Sequence, residues 1–158
     1  MRGLILGAIA GAAGTMALDV VSYGDMALRG RAASDMPAEV IRRLAARVGI
    51  TALSIPSDEA DAVTKNRRSA LGAIGGYKIG ILIGALYGTI AYEKNQRGLL
   101  LRALLLGGLA MAGSDLPATL LGATDLAEWT PESWISDIVP HFAYGLVTAA
   151  AFATMAED

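Results

Sequence analysis

Residues 70–92 read ALGAIGGYKIGILIGALYGTIAY, and glycine recurs there at every fourth position: Gly72, Gly76, Gly80, Gly84 and Gly88. Positions four apart on a helix stack into one stripe. In water such a stripe weakens a helix, because each glycine costs about 1 kcal/mol relative to alanine. In lipid the same glycines let a second backbone approach closely, where no hydrophobic effect draws helices together. The run is also long enough to cross a bilayer as one helix. The expected fold is therefore all-α: an integral membrane four-helix bundle with glycine-zipper packing. The first segment repeats the device with Gly3, Gly7, Gly11 and Thr15, and its stripe runs on to Asp19. Within one chain the two stripes pack spans one and two together. Between chains they build an oligomer. Both readings are open at this point.

Composition agrees with lipid as the solvent. The chain has 158 residues, 54% of them apolar, with 19 glycines, and its mean hydropathy is +0.47. A soluble helical domain of this size is rarely so apolar or so rich in glycine. One membrane domain, 1–158, is expected. The absence of cysteine excludes disulfides, thiolate metal sites and cysteine nucleophiles. A single histidine excludes a multi-histidine metal site, so no metal and no cofactor are expected. The net charge of −2 and an isoelectric point near 5.4 leave no nucleic-acid footprint.

Four segments have spanning length, at about 3–27, 70–92, 99–121 and 133–155. The first is the weakest, since it carries Asp19 and Asp25, and three spans with an interfacial first helix is the alternative. Met1-Arg2-Gly3-Leu4 looks like the start of a signal peptide. Its apolar run, however, continues to about Leu28, past the length of a signal core. Between spans one and two lies a long polar stretch. Ser34-Asp35 before Pro37 signals a helix start, and Val40, Ile41, Leu44 and Val48 then share one face, with Arg42, Arg43 and Arg47 mostly on the other. An amphipathic interfacial helix over 36–49, its arginines on lipid headgroups, is one reading. A solvated helix packed on the bundle is the other. Ile50–Pro56 reads as a linker. Ser57-Asp58-Glu59 reads as the start of a helix running unbroken into span two, with acids in its first turn. Glu93–Gly98 reads as a tight turn, and Trp129 and Trp134 as an interfacial aromatic belt. The first loop holds Arg29, Arg31, Arg42, Arg43, Arg47, Lys65, Arg67 and Arg68, against Arg2, Lys94 and Arg97 opposite. That bias places the first loop in the cytoplasm. The third loop shares that side and carries no basic residue.

Ionisable residues inside a membrane are costly and mark candidate sites. Asp19, Lys78, Asp115 and His141 come from four different spans. With alternating helix directions all four fall in one leaflet, roughly 4–8 Å from the midplane at the helical rise. Asp137 lies one turn from His141 on the same face, and Pro117 and Pro140 sit in the same layer. Broken helices are tolerated where they line protein or water, so an internal polar cavity is expected there. His141 is expected to be oriented by Asp137, with Asp115 on its other side. Lys78 is expected beside Asp19 or Asp115. The layer either handles protons or an ion, holds a small molecule, or simply pairs charges to fix helix register.

Three segments carry a resemblance: Asp25-Met-Ala-Leu-Arg-Gly-Arg31, Gly113-Ser-Asp-Leu-Pro117 and Ser136-Asp-Ile-Val-Pro-His-Phe-Ala-Tyr-Gly145. They resemble segments of small, uncharacterised actinobacterial membrane proteins. More distantly, the layout is similar to the YagU-type inner-membrane family. That family is associated with acid tolerance and has no established chemistry, so no catalytic residue carries over. The resemblance implies a multi-pass protein of the bacterial plasma (inner) membrane. There is no phosphate loop with lysine, no serine elbow and no metal-ligand spacing. The expected function is thus non-enzymatic: a polytopic membrane protein with a buried Asp/Lys/His cluster, proton- or ion-related and homo-oligomeric. The alternative is an accessory subunit or assembly factor of a larger membrane complex. The expected partners are the lipid bilayer and other membrane chains, with no nucleic acid.

Overall fold

Large apolar side chains lie outside and small ones inside. Leu82, Leu86, Leu104, Leu105, Leu109 and Ile135 are exposed, whereas the buried set includes Ala10, Ala103, Ala110, Ala118 and Ala149. Water would reverse that order, and lipid explains it, since lipid tails solvate leucine and close packing needs small residues. The computed structural model describes residues 1–91 and 98–157. Among these, the elements are α1 (Arg2–Arg29), α2 (Met36–Arg47), α3 (Thr51–Ser54), α4 (Ala62–Ala91), α5 (Leu99–Leu120), a 3₁₀ turn (Leu126–Glu128) and α6 (Pro131–Glu157), with no strand. Helices α1, α4, α5 and α6 are long and apolar enough to cross a membrane. The expected turn at Glu93–Gly98 and the end of span two at Tyr92 lie outside the described residues, apart from Gly98.

Helix α1 packs along α4 on one side and α6 on the other. Helix α5 packs on α6, while α4 and α5 touch only lightly. The α1–α4 contact is backbone on backbone. A Cβ on Gly84 would stand 2.6 Å from the Gly11 Cα, and one on Gly88 2.7 Å from the Gly7 Cα. No side chain fits between the helices there. A similar approach joins α5 to α6, where a Cβ on Gly107 would lie 2.6 Å from the His141 carbonyl oxygen.

The five-glycine stripe does not act as one surface. Gly80, Gly84 and Gly88 meet α1, at Thr15, Gly11, Gly7 and Gly3. Gly72 instead meets Pro37 at the start of α2, and Gly76 has no atom within 4 Å of a built Cβ. Beyond the Thr15–Gly80 contact α1 and α4 diverge, and α2 packs on α4 at their open end.

Two expectations in the polar stretch are corrected. Helix α4 begins at Ala62, not near Ser57, because the Asp61 carboxylate accepts from the Thr64 N–H at 2.8 Å and caps the first turn. Upstream, Glu59 and Ala60 N–H groups fold back to the Pro56 carbonyl at 3.2 and 3.0 Å, which closes a turn. The Ile50–Pro56 linker contains the one-turn helix α3. Arg68, 2% exposed, holds it by donating to the carbonyls of Leu53, at 3.0 Å, and Ile55. Helix α2 ends at Arg47, two residues short of the expected limit. Both α5 and α6 continue through their internal prolines.

The divided stripe makes a contrast. Gly84→Leu is expected to cost about 3 kcal/mol or more, by overpacking against backbone that has no room to shift. Gly76→Leu is expected to stay within about 0.5 kcal/mol, as open surface positions do. Unfolding equilibria of the two variants in the same detergent check this.

Candidate functional site: a one-sided polar cleft

Where α1 and α4 diverge, a cleft of about 950 Å³ opens on the side of the first loop. Its walls come from α1, α4 and α6, with Ala110 and Ser114 of α5, and residues 33–37 form part of its rim. The deepest lining residues are Thr15 on α1, Gly80 on α4 and Tyr144 on α6. At that level the Tyr144 hydroxyl donates to the Gly80 carbonyl at 2.6 Å, tying α6 to α4 beneath the cleft.

One wall carries Asp137 and His141. The His141 Nδ1 lies 2.8 Å from the Asp137 backbone carbonyl and 3.4 Å from its Oδ2. A carbonyl only accepts, so Nδ1 carries the proton and Nε2 is the free ring nitrogen of the neutral form. Behind this wall, on α5, Asp115 is 3% exposed. Its carboxyl faces both Asp137 and His141, and Ser114 Oγ lies 3.1 Å from its Oδ1. The Oδ2 atoms of Asp115 and Asp137 are buried without a hydrogen-bond partner among the described residues. Two carboxyl groups and an imidazole thus converge from α5 and α6. No group of three His, Asp, Glu or Cys side chains among the described residues has metal-binding geometry.

Asp19 is on the opposite wall, where its Oδ2 accepts from the Tyr77 hydroxyl at 2.6 Å. Since Gly14 packs against Tyr144 and Thr148, Asp19, a turn and a half further along α1, lies at about the level of His141. Lys78 is at a similar depth, yet it is exposed on the outer face of α4, with no ion pair or hydrogen bond among the described residues. The expectation that it faces the interior is corrected. Residues two apart on a helix point about 200° apart, so a helix that turns Gly80 toward α1 turns Lys78 away. The cluster lacks its expected cation.

At the mouth, Asp25 accepts two bonds from Arg29, both at 2.6 Å, and one from Arg31. Arg29 also donates to Ser136 on α6. Sequence reading passed over this group and the cleft tyrosines. Tyr144 was within reach of it, three residues past His141 on the same helix face. The arginines of α2 have protein partners. Glu39 binds Arg42 and Arg43. Arg43 donates to the Leu121 carbonyl at 3.3 Å and Arg47 to that of Leu120 at 3.0 Å. Both cover carbonyls at the end of α5, where a helix lacks internal donors and carries partial negative charge. Leu44 of α2 and Val48 just after it are exposed, and Ala45 is buried. Trp129 and Trp134 stack edge-to-face at 5.0 Å, and Trp129 Nε1 donates to Thr124 at 2.8 Å. No protein-family model, curated protein or solved structure matches the chain.

The bonds from Arg42 and then Arg43 hold the Glu39 carboxyl down from an ordinary 4.5 to about 2. A carboxylate lowered on folding stabilises above its unfolded value and loses that contribution as pH falls through the folded one. The stabilisation of α2 by these internal pairs is therefore expected to be intact above about pH 4.5 and to be lost as pH falls toward 2. Hydrogen exchange of α2 amides across that window checks this, and Glu39→Gln should flatten the dependence.

Proposed function

We propose that this chain is a multi-pass protein of the bacterial inner membrane whose Asp115–Asp137–His141 group takes up and releases a proton, or a monovalent ion, through the cleft. The observation that carries the reading is the convergence of two carboxyl groups and one imidazole at a cleft wall, with two buried carboxylate oxygens left over. Intramembrane carboxylates facing each other without a fixed cation are the usual hardware of proton relays. The lack of three-ligand geometry among the described residues speaks against a polyvalent metal ion. In this reading the α1–α4 glycines act as a zipper that keeps the cleft walls fixed. Helix α2 lies at the headgroups with the exposed Leu44 and Val48 toward lipid. The assembly is homo-oligomeric, and no catalysis is assigned to the chain.

The test is the protonation of His141 in lipid nanodiscs, followed through its ring nitrogens. The groups facing it are Asp137 on its own helix and Asp115 on α5, with Asp19 across the cleft. The imidazole is expected to show a protonation change whose midpoint moves in Asp115→Asn and in Asp137→Asn. A ring that ignores both substitutions leaves a purely structural cluster.

Lys78 favours a second reading. A charged side chain turned outward at membrane depth is costly against lipid, unless it snorkels to the surface or meets another chain. An accessory subunit or self-associating protein would supply that chain. The natural chain has no cysteine, so Lys78→Cys with a bismaleimide gives a clean result. A cross-linked homodimer is expected for self-association. A heavier adduct from native membranes favours the subunit reading, and a monomer alone leaves α4 facing lipid.

A further inference from the structure

From the lining of the cleft we infer that it binds an organic cation with an apolar body. The inference rests on the cleft reading above and adds the class of its occupant. Four acids line the cleft, at Asp19, Asp35, Glu132 and Asp137, against two arginines. Both arginines are already bound by Asp25 at the mouth. Below them the charged groups of the lining are Asp19 on one wall and Asp137 with His141 on the other, and Lys78 is outside. An anion would meet carboxylates there, whereas a cation would meet two of them from opposite sides.

The aromatic lining agrees. Tyr23, Tyr77, Tyr144 and Trp129 come from α1, α4, α6 and the third loop, and all border the cleft. Aromatic faces attract cations through their quadrupole, and these rings border the cleft at several levels. Asp19 is fixed by the Tyr77 hydroxyl, so one carboxylate is held in place before any ligand arrives. Metal-binding geometry is absent among the described residues, which favours a large, diffuse cation over a bare ion. The volume, about 950 Å³, falls within the range of small-molecule sites. A lipophilic amine or phosphonium satisfies all these terms together.

Two probes of matched shape and opposite charge test the inference: tetraphenylphosphonium and tetraphenylborate, each titrated into the full-length protein in micelles, with empty micelles subtracted. Saturable binding of the phosphonium, at least tenfold tighter than of the borate, is expected. Asp19→Asn and Asp137→Asn should each weaken phosphonium binding at least tenfold, and Lys78→Leu, outside the cleft, should not change it. The comparison of the two probes on the natural chain needs no variant to fold. Displacement by dodecylamine identifies a free amine as occupant, and displacement by phosphatidylethanolamine identifies a lipid headgroup. Equal binding of both probes, or phosphonium binding unaffected by both carboxylate variants, overturns the inference. If the His141 titration responds to Asp137→Asn while the phosphonium fails to bind, the proton reading stands and this one falls. The reverse pattern removes the proton reading and leaves a cation cleft.

Discussion

Everything in the bundle depends on the distance between two backbones, those of α1 and α4 where Gly7 and Gly11 meet Gly84 and Gly88. That contact excludes a methyl group, so the two helices have one available separation at that end. The divergence toward the first loop begins where the contact ends, at Thr15 and Gly80. The cleft is the space that divergence leaves. Pro37 against Gly72 then seats α2 at the open end. Its arginines reach across to the last carbonyls of α5, a helix that α4 barely touches. A rigid pinch on one side and a strapped opening on the other follow from where the glycines stop being used.

The core shows why this architecture needs lipid. Its buried members are mostly alanine and glycine, with Tyr144, Phe152 and Leu106 as the large exceptions. Tyr87 and Phe152 meet edge-to-face at 5.1 Å and fill the end of the bundle away from the cleft. Small side chains each bury little apolar area, so hydrophobic burial contributes less to such a core. Close packing and backbone contact take that role when the outer leucines are already solvated by lipid tails.

Much of this was legible in the chain. The four long helices were, because spanning length and apolar composition are local properties. The convergence of Asp115, Asp137 and His141 was foreshadowed by i, i+4 spacing on α6 and by a common depth. Lys78 shows where that reasoning stops. Depth follows from counting along a helix, but facing depends on which stripe wins the neighbour. The glycines won, and Lys78 is on the far side of them. The data for that correction were in residues 76–80 all along. The arginines of α2 are a different case. Their acceptors at Leu120 and Leu121 lie more than seventy residues away, and no local periodicity points to them. The start of α4 was read at Ser57, with Asp58 and Glu59 in the first turn, whereas the helix starts after Asp61. The difference was decided by backbone N–H groups closing a turn on Pro56, which propensity alone does not weigh.

The hydrogen bond from Tyr144 to the Gly80 carbonyl has a kinetic consequence. No lining residue lies below it, so in this conformation the cleft stops at that level, and anything that enters from the first-loop side leaves on that side. By microscopic reversibility a barrier on that route slows arrival and departure by the same factor. The Arg29–Ser136 tie joins α1 to α6 at that end, so it adds to the barrier on any route that parts those two helices. Opening the cleft past that level would require the Tyr144–Gly80 bond to break. Helix α6 is itself held close to the α1 backbone at Gly14 and to the α5 backbone at Gly107 and Gly145, so such an opening would move packed groups of helices rather than one helix alone.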